Sequence, residues 1–283
     1  MPAFTNMATL TYNGNTINSN VVTGQILEAL SVVKTAVLPE YSVGEDVAYV
    51  VSIVNRGTAA YENLTITDDL GAYTADGQTR FPMTYTPGSV RYYVNGVLQN
   101  APAVMAGPPM MITGITVPAG GSTLVIYEAR VNAYAPSAVG STIVNTVTVT
   151  GGGLSAPMTA QETVTVAQEA DPVITKALDP MVIPENGQLT YTFTIRNYGN
   201  TPLVATDDVI LTDVFDPVLE GITVTFNDEP WTQGINYSYN QATGVFATLP
   251  GQIAVPAATY TQNPDGTWAV TPGTVTVTVT GNI

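Results

Sequence analysis

The chain has 283 residues and carries 22 acidic against seven basic side chains, a formal charge of −15, with no cysteine and no histidine. The missing residue types exclude disulfides and thiol chemistry, and they remove the usual zinc ligand sets, a Ser-His triad and the commonest general base. The acidity argues against nucleic acid and anionic membranes as partners, and the scarcity of charge (10% of residues) suits an extracellular structural protein with a surface of uncharged polar side chains.

The start, Met1-Pro-Ala-Phe4, lacks the basic residues and apolar run of a signal peptide. Two expectations follow: a leader replaced by a start methionine, or assembly without secretion inside a cell that later lyses. No segment has the length and apolarity of a membrane-spanning helix, so no membrane insertion is expected. Next, Phe4 to Tyr12 alternates with period two, placing Phe4, Asn6, Ala8, Leu10 and Tyr12 on one strand face. Asn18 to Leu30 comes nearest to a helical pattern but reads better as strand. Beyond it, short Thr/Val alternations such as Thr146-Val-Thr-Val-Thr150 and Thr274-Val-Thr-Val-Thr-Val-Thr280 are punctuated by 25 Gly and 20 Pro. That is an all-β pattern, two β-sandwich domains in tandem. Gln168-Glu-Ala-Asp-Pro172 is a short linker expected to hold the domains in a string, and Asn263-Pro-Asp-Gly-Thr267 is a hairpin turn.

An internal repeat organises the chain. Lys34, Tyr49, Asn55 and Gly57 recur as Lys176, Tyr191, Asn197 and Gly199. After an insertion near Pro202, Thr67-Asp68 meets Thr212-Asp213, and Ile115-Thr-Val-Pro-Ala119 meets Ile253-Ala-Val-Pro-Ala257. Phe4-Thr-Asn-Met-Ala-Thr-Leu-Thr11 matches Ile143-Val-Asn-Thr-Val-Thr-Val-Thr150, so the first residues repeat the closing strands of the first domain. The second domain stops before the counterparts of those strands. The expected division is therefore a donor-strand tail over 1–30, a complete domain over 31–170, and a domain over 171–283 lacking its last two strands. Such a subunit is expected to polymerise head to tail with identical copies as an open linear filament.

The run Val47-x-Tyr49-x-Val51-x-Ile53-x-Asn55-x-Gly57, its counterpart Leu189-x-Tyr191-x-Phe193-x-Ile195-x-Asn197-x-Gly199, the Thr-Asp pairs and Asn145-Thr-Val-Thr-Val149 together resemble the conserved repeat domain of bacterial surface proteins, also called domain of unknown function 11. The resemblance covers about residues 30 to 283, with the tail matching the last strands. It implies immunoglobulin-like sandwiches on cell walls, sheaths or spore appendages, and hence a structural role at the cell or spore surface. Minor cap or anchor subunits are possible further partners.

Three polar residue types fall in inward rows. Lys34 alternates with Leu30 and Val32, Asp68 with Leu64 and Ile66, and Asn145 with Ile143 and Val147; Lys176, Asp213 and the tail's Asn6 hold the matching places. A buried lysine tends to lose its proton and a buried aspartic acid tends to keep one. A neutral amine beside an asparagine amide and an acid can form an isopeptide bond, similar to those of isopeptide-bearing immunoglobulin-like surface domains. The expected sites are Lys34, Asp68 and Asn145 within the first domain, and Lys176, Asp213 and Asn6 between subunits. The other reading is a Lys–Asp ion pair hydrogen-bonded by the asparagine. The alternative function is a surface stalk or adhesin module binding a glycan or protein, with Trp231, Trp268, Tyr92, Tyr93, Tyr237 and Tyr239 as stacking candidates. Asp207-Asp208 and Asp68-Asp69 lack the ligand spacing of a calcium loop. No cofactor, no metal and no enzyme activity on an external substrate are expected.

Overall fold

A computed structural model describes residues 3–25 and 29–283, and strands dominate throughout. Parts of the expected tail, at 1–2 and 26–28, lie outside the described residues. The tail forms a hairpin of four short strands, β1 (Ala3–Asn6), β2 (Thr9–Tyr12), β3 (Asn15–Asn18) and β4 (Val22–Gln25). Asn13 and Gly14, both at positive φ, turn β2 into β3, the pairing of residues that a two-residue hairpin loop requires. Near Ala8 the ladder is interrupted: the Ala8 N–H donates to the Ser19 hydroxyl, and β1–β4 pairing resumes with Asn6 opposite Val22. Neither face of this hairpin is covered. Its apolar side chains stand in solvent, with Phe4 54% and Leu10 63% exposed.

Next come β5 (Leu30–Ala36), β6 (Glu40–Tyr41), β7 (Asp46–Asn55), β8 (Tyr61–Asp68), β9 (Arg91–Val94), β10 (Met110–Val117), β11 (Ser122–Val131), β12 (Thr142–Gly151) and β13 (Met158–Val166). They fold into an immunoglobulin-like sandwich. One sheet runs β9-β11-β7-β5, and the facing sheet runs β10-β8-β12-β13-β6. Strict alternation on β7 and β12 sends Tyr49, Val51, Ile53, Val147 and Val149 into one core. Burying each of these is worth about 1.5–3 kcal/mol as an upper estimate.

The second sandwich contains β14 (Pro172–Asp179), β15 (Gln188–Asn197), β16 (Thr212–Val214), β17 (Glu220–Phe226), β18 (Tyr237–Asn240), β19 (Val245–Thr248), β20 (Thr259–Gln262), β21 (Trp268–Thr271) and β22 (Gly273–Asn282). One sheet runs β14-β15-β22-β17, and its partner is the smaller sheet β16-β19-β18. Its own core includes Phe193, Phe215, Phe246 and Val277. The two sandwiches differ at one edge. In the first, β8 pairs with β10 on one side and β12 on the other. In the second, β16 pairs with β19 alone among the described residues, and β14 is exposed along nearly its whole length.

The repeated Asn-x-Gly turn is a structural lock. The Asn55 amide donates to the carbonyls of Ala59 and Pro118 while its oxygen accepts from the Gly57 N–H. Asn197 does the same with Thr201, Pro256 and Gly199. The glycines leave room for the incoming chain: a Cβ on Gly57 would meet Ala29, and one on Gly199 would meet the Glu169 carbonyl. The backbone carbonyl of Ala29 accepts from Arg56 as that of Asp171 accepts from Tyr198. The residue just before each first strand is thus held at the same point of the Asn-x-Gly turn.

The string expected of the linker is braced in the structure. The Asn200 amide donates to the carbonyls of Ser137 and Ala167, and the backbone N–H of Trp268 donates to the Ala133 carbonyl. The β20–β21 hairpin, with the Asn263–Thr267 turn at its tip, adds a contact from the Gln262 amide to the Tyr73 hydroxyl. The linker's length could not show this, because the bracing hairpin lies far along the sequence.

Candidate functional site

The site in the first sandwich is built from three strands of the two sheets. Alternation on β5 turns Lys34 inward, on β8 Asp68, and on β12 Asn145; all three are buried. Lys34 Nζ lies 2.7 Å from Asp68 Oδ2, with both side chains fully excluded from solvent. The other carboxylate oxygen accepts the Leu70 N–H at 2.7 Å, and the Tyr127 hydroxyl donates to Oδ2. The lysine ammonium sits 4.5 Å from the centre of the Tyr49 ring, which stacks on Tyr127. Burial lowers the Lys34 pKa, and the carboxylate of Asp68 only partly offsets that. Burial likewise raises the Tyr49 and Tyr127 hydroxyls well above their ordinary range.

Asn145 belongs to the same chamber by register. Val147 pairs with Asp68 across β12 and β8, and Asn145 is the next inward residue, ~7 Å along the strand. Its side-chain amide influences the Tyr49 hydroxyl, yet the two do not meet in hydrogen-bond geometry. Both Oδ1 and Nδ2 of Asn145 are buried with no hydrogen-bond partner. A buried amide with neither end satisfied costs several kcal/mol in an apolar setting, on the order of 1–3 per group. Such orphans point to strain, chemistry or an unseen partner.

In the second sandwich the same elements recur in an open setting. Lys176 on β14 pairs with Asp213 on β16, but the lysine is 40% and the aspartate 18% exposed. Tyr191 lies under the ammonium at 4.2 Å as Tyr49 does under Lys34. The tyrosine on the acid is missing: Tyr127 faces Tyr49 across its ladder, and Val279 faces Tyr191. Among the described residues of this sandwich no asparagine joins the pair. Asn6 lies in the exposed hairpin, opposite Val22, as Asn145 lies opposite Glu162. The structure therefore gathers Lys34, Asp68 and Asn145 and pairs Lys176 with Asp213, while Asn6 stands apart with the other inward-row tail residues Phe4, Ala8, Leu10 and Tyr12.

Sequence reading missed Tyr127, because the repeat replaces it by valine and its partner Asp68 is distant in the chain. The aromatic candidates do not form one stacking face: Tyr92 and Tyr237 are buried, and Trp231 stacks on Phe226 in another sheet. The oxygens of Asp69 and Asp207 are engaged by backbone N–H groups of Gly71, Thr146 and Val204.

No protein-family model matches the chain, and no curated protein matches its sequence. Solved structures similar to it include BcpA, the major pilin subunit of Bacillus cereus, with 12% identity, TM-score 0.37, and 96% of this chain matched to 73% of that one. A 35 kDa C-terminal fragment of the major pilin GBS80 of Streptococcus agalactiae matches at 15% identity and TM-score 0.34, over 80% of each chain. The collagen-binding domain of a Staphylococcus aureus adhesin matches 47% of this chain over 96% of its own, at 15% identity and TM-score 0.31. The two immunoglobulin-like sandwiches are defined by this chain's own strand order, independently of these likenesses. The resemblance to the conserved repeat family rests on the sequence motifs quoted above.

Proposed function

We propose that this protein is a structural subunit of an extracellular filament on a bacterial cell or spore surface. Each copy donates its β1–β4 hairpin to the open edge of the second sandwich in the next copy. The observation that carries this reading is one of complementarity. The hairpin is exposed on both faces, its sequence repeats β12–β13, and the second sandwich leaves uncovered the edge and face that β12–β13 fill in the first. Exposed strand edges beside apolar surface favour strand addition. About four hairpin side chains buried at ~1.5–3 kcal/mol each, with new ladder hydrogen bonds, make a stable joint. The contact joins different patches on the two copies, so it propagates instead of closing. The entry geometry at Ala29 and Asp171 lets the donated hairpin lead into its own first sandwich as β13 leads into the second.

Within the first sandwich, Lys34, Asp68 and Asn145 form a self-crosslinking site. The neutral Lys34 Nζ attacks Asn145 Cγ, the Cγ–Nδ2 bond breaks, and the nitrogen leaves as ammonia while Asp68 passes the proton across. The orphaned Nδ2 leaves the core as ammonia. The mass of the subunit falls by one ammonia, and Asp68→Ala retains full mass.

Light scattering and negative-stain imaging of the full chain beside a variant starting at Ala29 test the assembly. Long polymers only with the hairpin present are expected. Equal, monomeric behaviour of both would overturn the reading.

A further inference from the structure

We propose that docking of the hairpin switches on a second crosslink, which joins Lys176 of one subunit to Asn6 of the next and makes the filament covalent. This inference rests on the proposed filament.

The reacting groups are divided between two places in the molecule. Lys176 and Asp213 are already paired, beneath the face that the hairpin would cover. Asn6 takes the register place of Asn145: each is separated by one residue from the inward side chain, Ala8 or Val147, that lies opposite the acid in the first sandwich or would lie opposite it after docking. In the free subunit Lys176 is 40% exposed and, among the described residues, no amide lies beside it. Docking covers it with an apolar strand pair. Across from Asn145 the first sandwich carries Glu162, whose charge favours a protonated Lys34. Across from Asn6 stands Val22, so the docked hairpin brings no such charge to Lys176. Desolvation and arrival of the amide thus occur in one event, and the second sandwich of a free subunit lacks the amide it needs to react.

The step balances without a cofactor or oxidant. A bond forms between Lys176 Nζ and Asn6 Cγ, the Cγ–Nδ2 bond breaks, and Asp213 carries a proton from Nζ to Nδ2, which leaves as ammonia. With Val279 in place of Tyr127, Asp213 has no phenol donor, so this relay uses the carboxyl group alone.

The test uses full-length Asn6→Ala and Lys176→Ala chains, alone and mixed, read by light scattering and by boiled denaturing gel. Asn6 is exposed, so its substitution leaves folding intact. Wild type should give a ladder. Each variant alone should give polymers that fall to monomer on boiling. The mixture should give a boiled-gel band of one heterodimer, its mass one ammonia below the sum, with Lys176 joined to Asn6 in tandem mass spectra. Wild-type polymers that boil to monomer would overturn the crosslink and leave the filament standing. Absence of polymer in every sample would overturn the filament reading and the crosslink with it.

Discussion

Lys34 and Lys176 occupy the same strand position in two copies of one domain, each over an equivalent tyrosine and beside an equivalent aspartate. One pair is wholly buried, the other partly open to water. The strands that carry the residues are alike; what differs is the presence of β12 and β13 over the first pair. A residue's chemistry in this molecule is therefore conferred by the strand that covers it. The same ion pair is a solvent-screened contact of little energy in one sandwich and a fully desolvated pair in the other.

The sharpest break of that comparison is Lys34→Met against Lys176→Met. The first leaves the fully buried Asp68 without its lysine partner, whether paired or in the proposed crosslink, so we expect a loss of about 3–5 kcal/mol in the first sandwich. The second removes a solvent-screened pair and should cost about 0–1 kcal/mol. Calorimetry resolves the two transitions, and equal shifts would show that coverage by β12–β13 does not set the difference.

A smaller effect is expected in hydrogen exchange. In a variant starting at Ala29, amides of β14 and β16 should exchange faster than those of β5 and β8. Adding a peptide spanning residues 3–25 should protect β14 and β16 and leave β5 and β8 unchanged. No added protection would place the hairpin's partner elsewhere.

The smallest effect lies in pH. Asn145→Ala leaves Lys34 as a free amine with a folded pKa lowered below 10.5 by burial. Between the lowered pKa and 10.5 the unfolded chain binds more protons than the folded one, so stability rises with pH across that window and is lost as pH falls through the folded pKa. Burial raises the Tyr49 and Tyr127 hydroxyls above 10.0, which reverses the slope above about pH 10 because the unfolded state then loses protons first. Denaturant midpoints should climb as pH rises toward 10.5 in Asn145→Ala and stay flat in wild type, where the proposed amide leaves no Lys34 amine to titrate.

Much of this was legible in the chain. Period-two alternation put Lys34, Asp68 and Asn145 in inward rows, and the structure buries all three. The turn at Asn263–Thr267 forms where the Pro-Asp-Gly run predicts it. Tyr127 was not legible, since its link to Asp68 spans the two sheets and no local pattern marks it. Nor was the exposure of Lys176: its strand alternates as β5 does, and alternation reports facing, not coverage. The bracing of the two sandwiches through Asn200 and Gln262 was also hidden, because it depends on how distant loops meet.

The amino-acid sequence by itself determined the strand class, the repeat, the kinship of the hairpin with β12–β13 and the inward facing of the polar residues. These follow from side-chain periodicity and composition, which are local properties of a chain. Only the tertiary structure decided which inward residues are dry and that, among the described residues, the Asn145 amide has no hydrogen-bond partner. Burial and satisfaction of polar groups depend on what packs across from a strand, and a strand's own residues do not specify that.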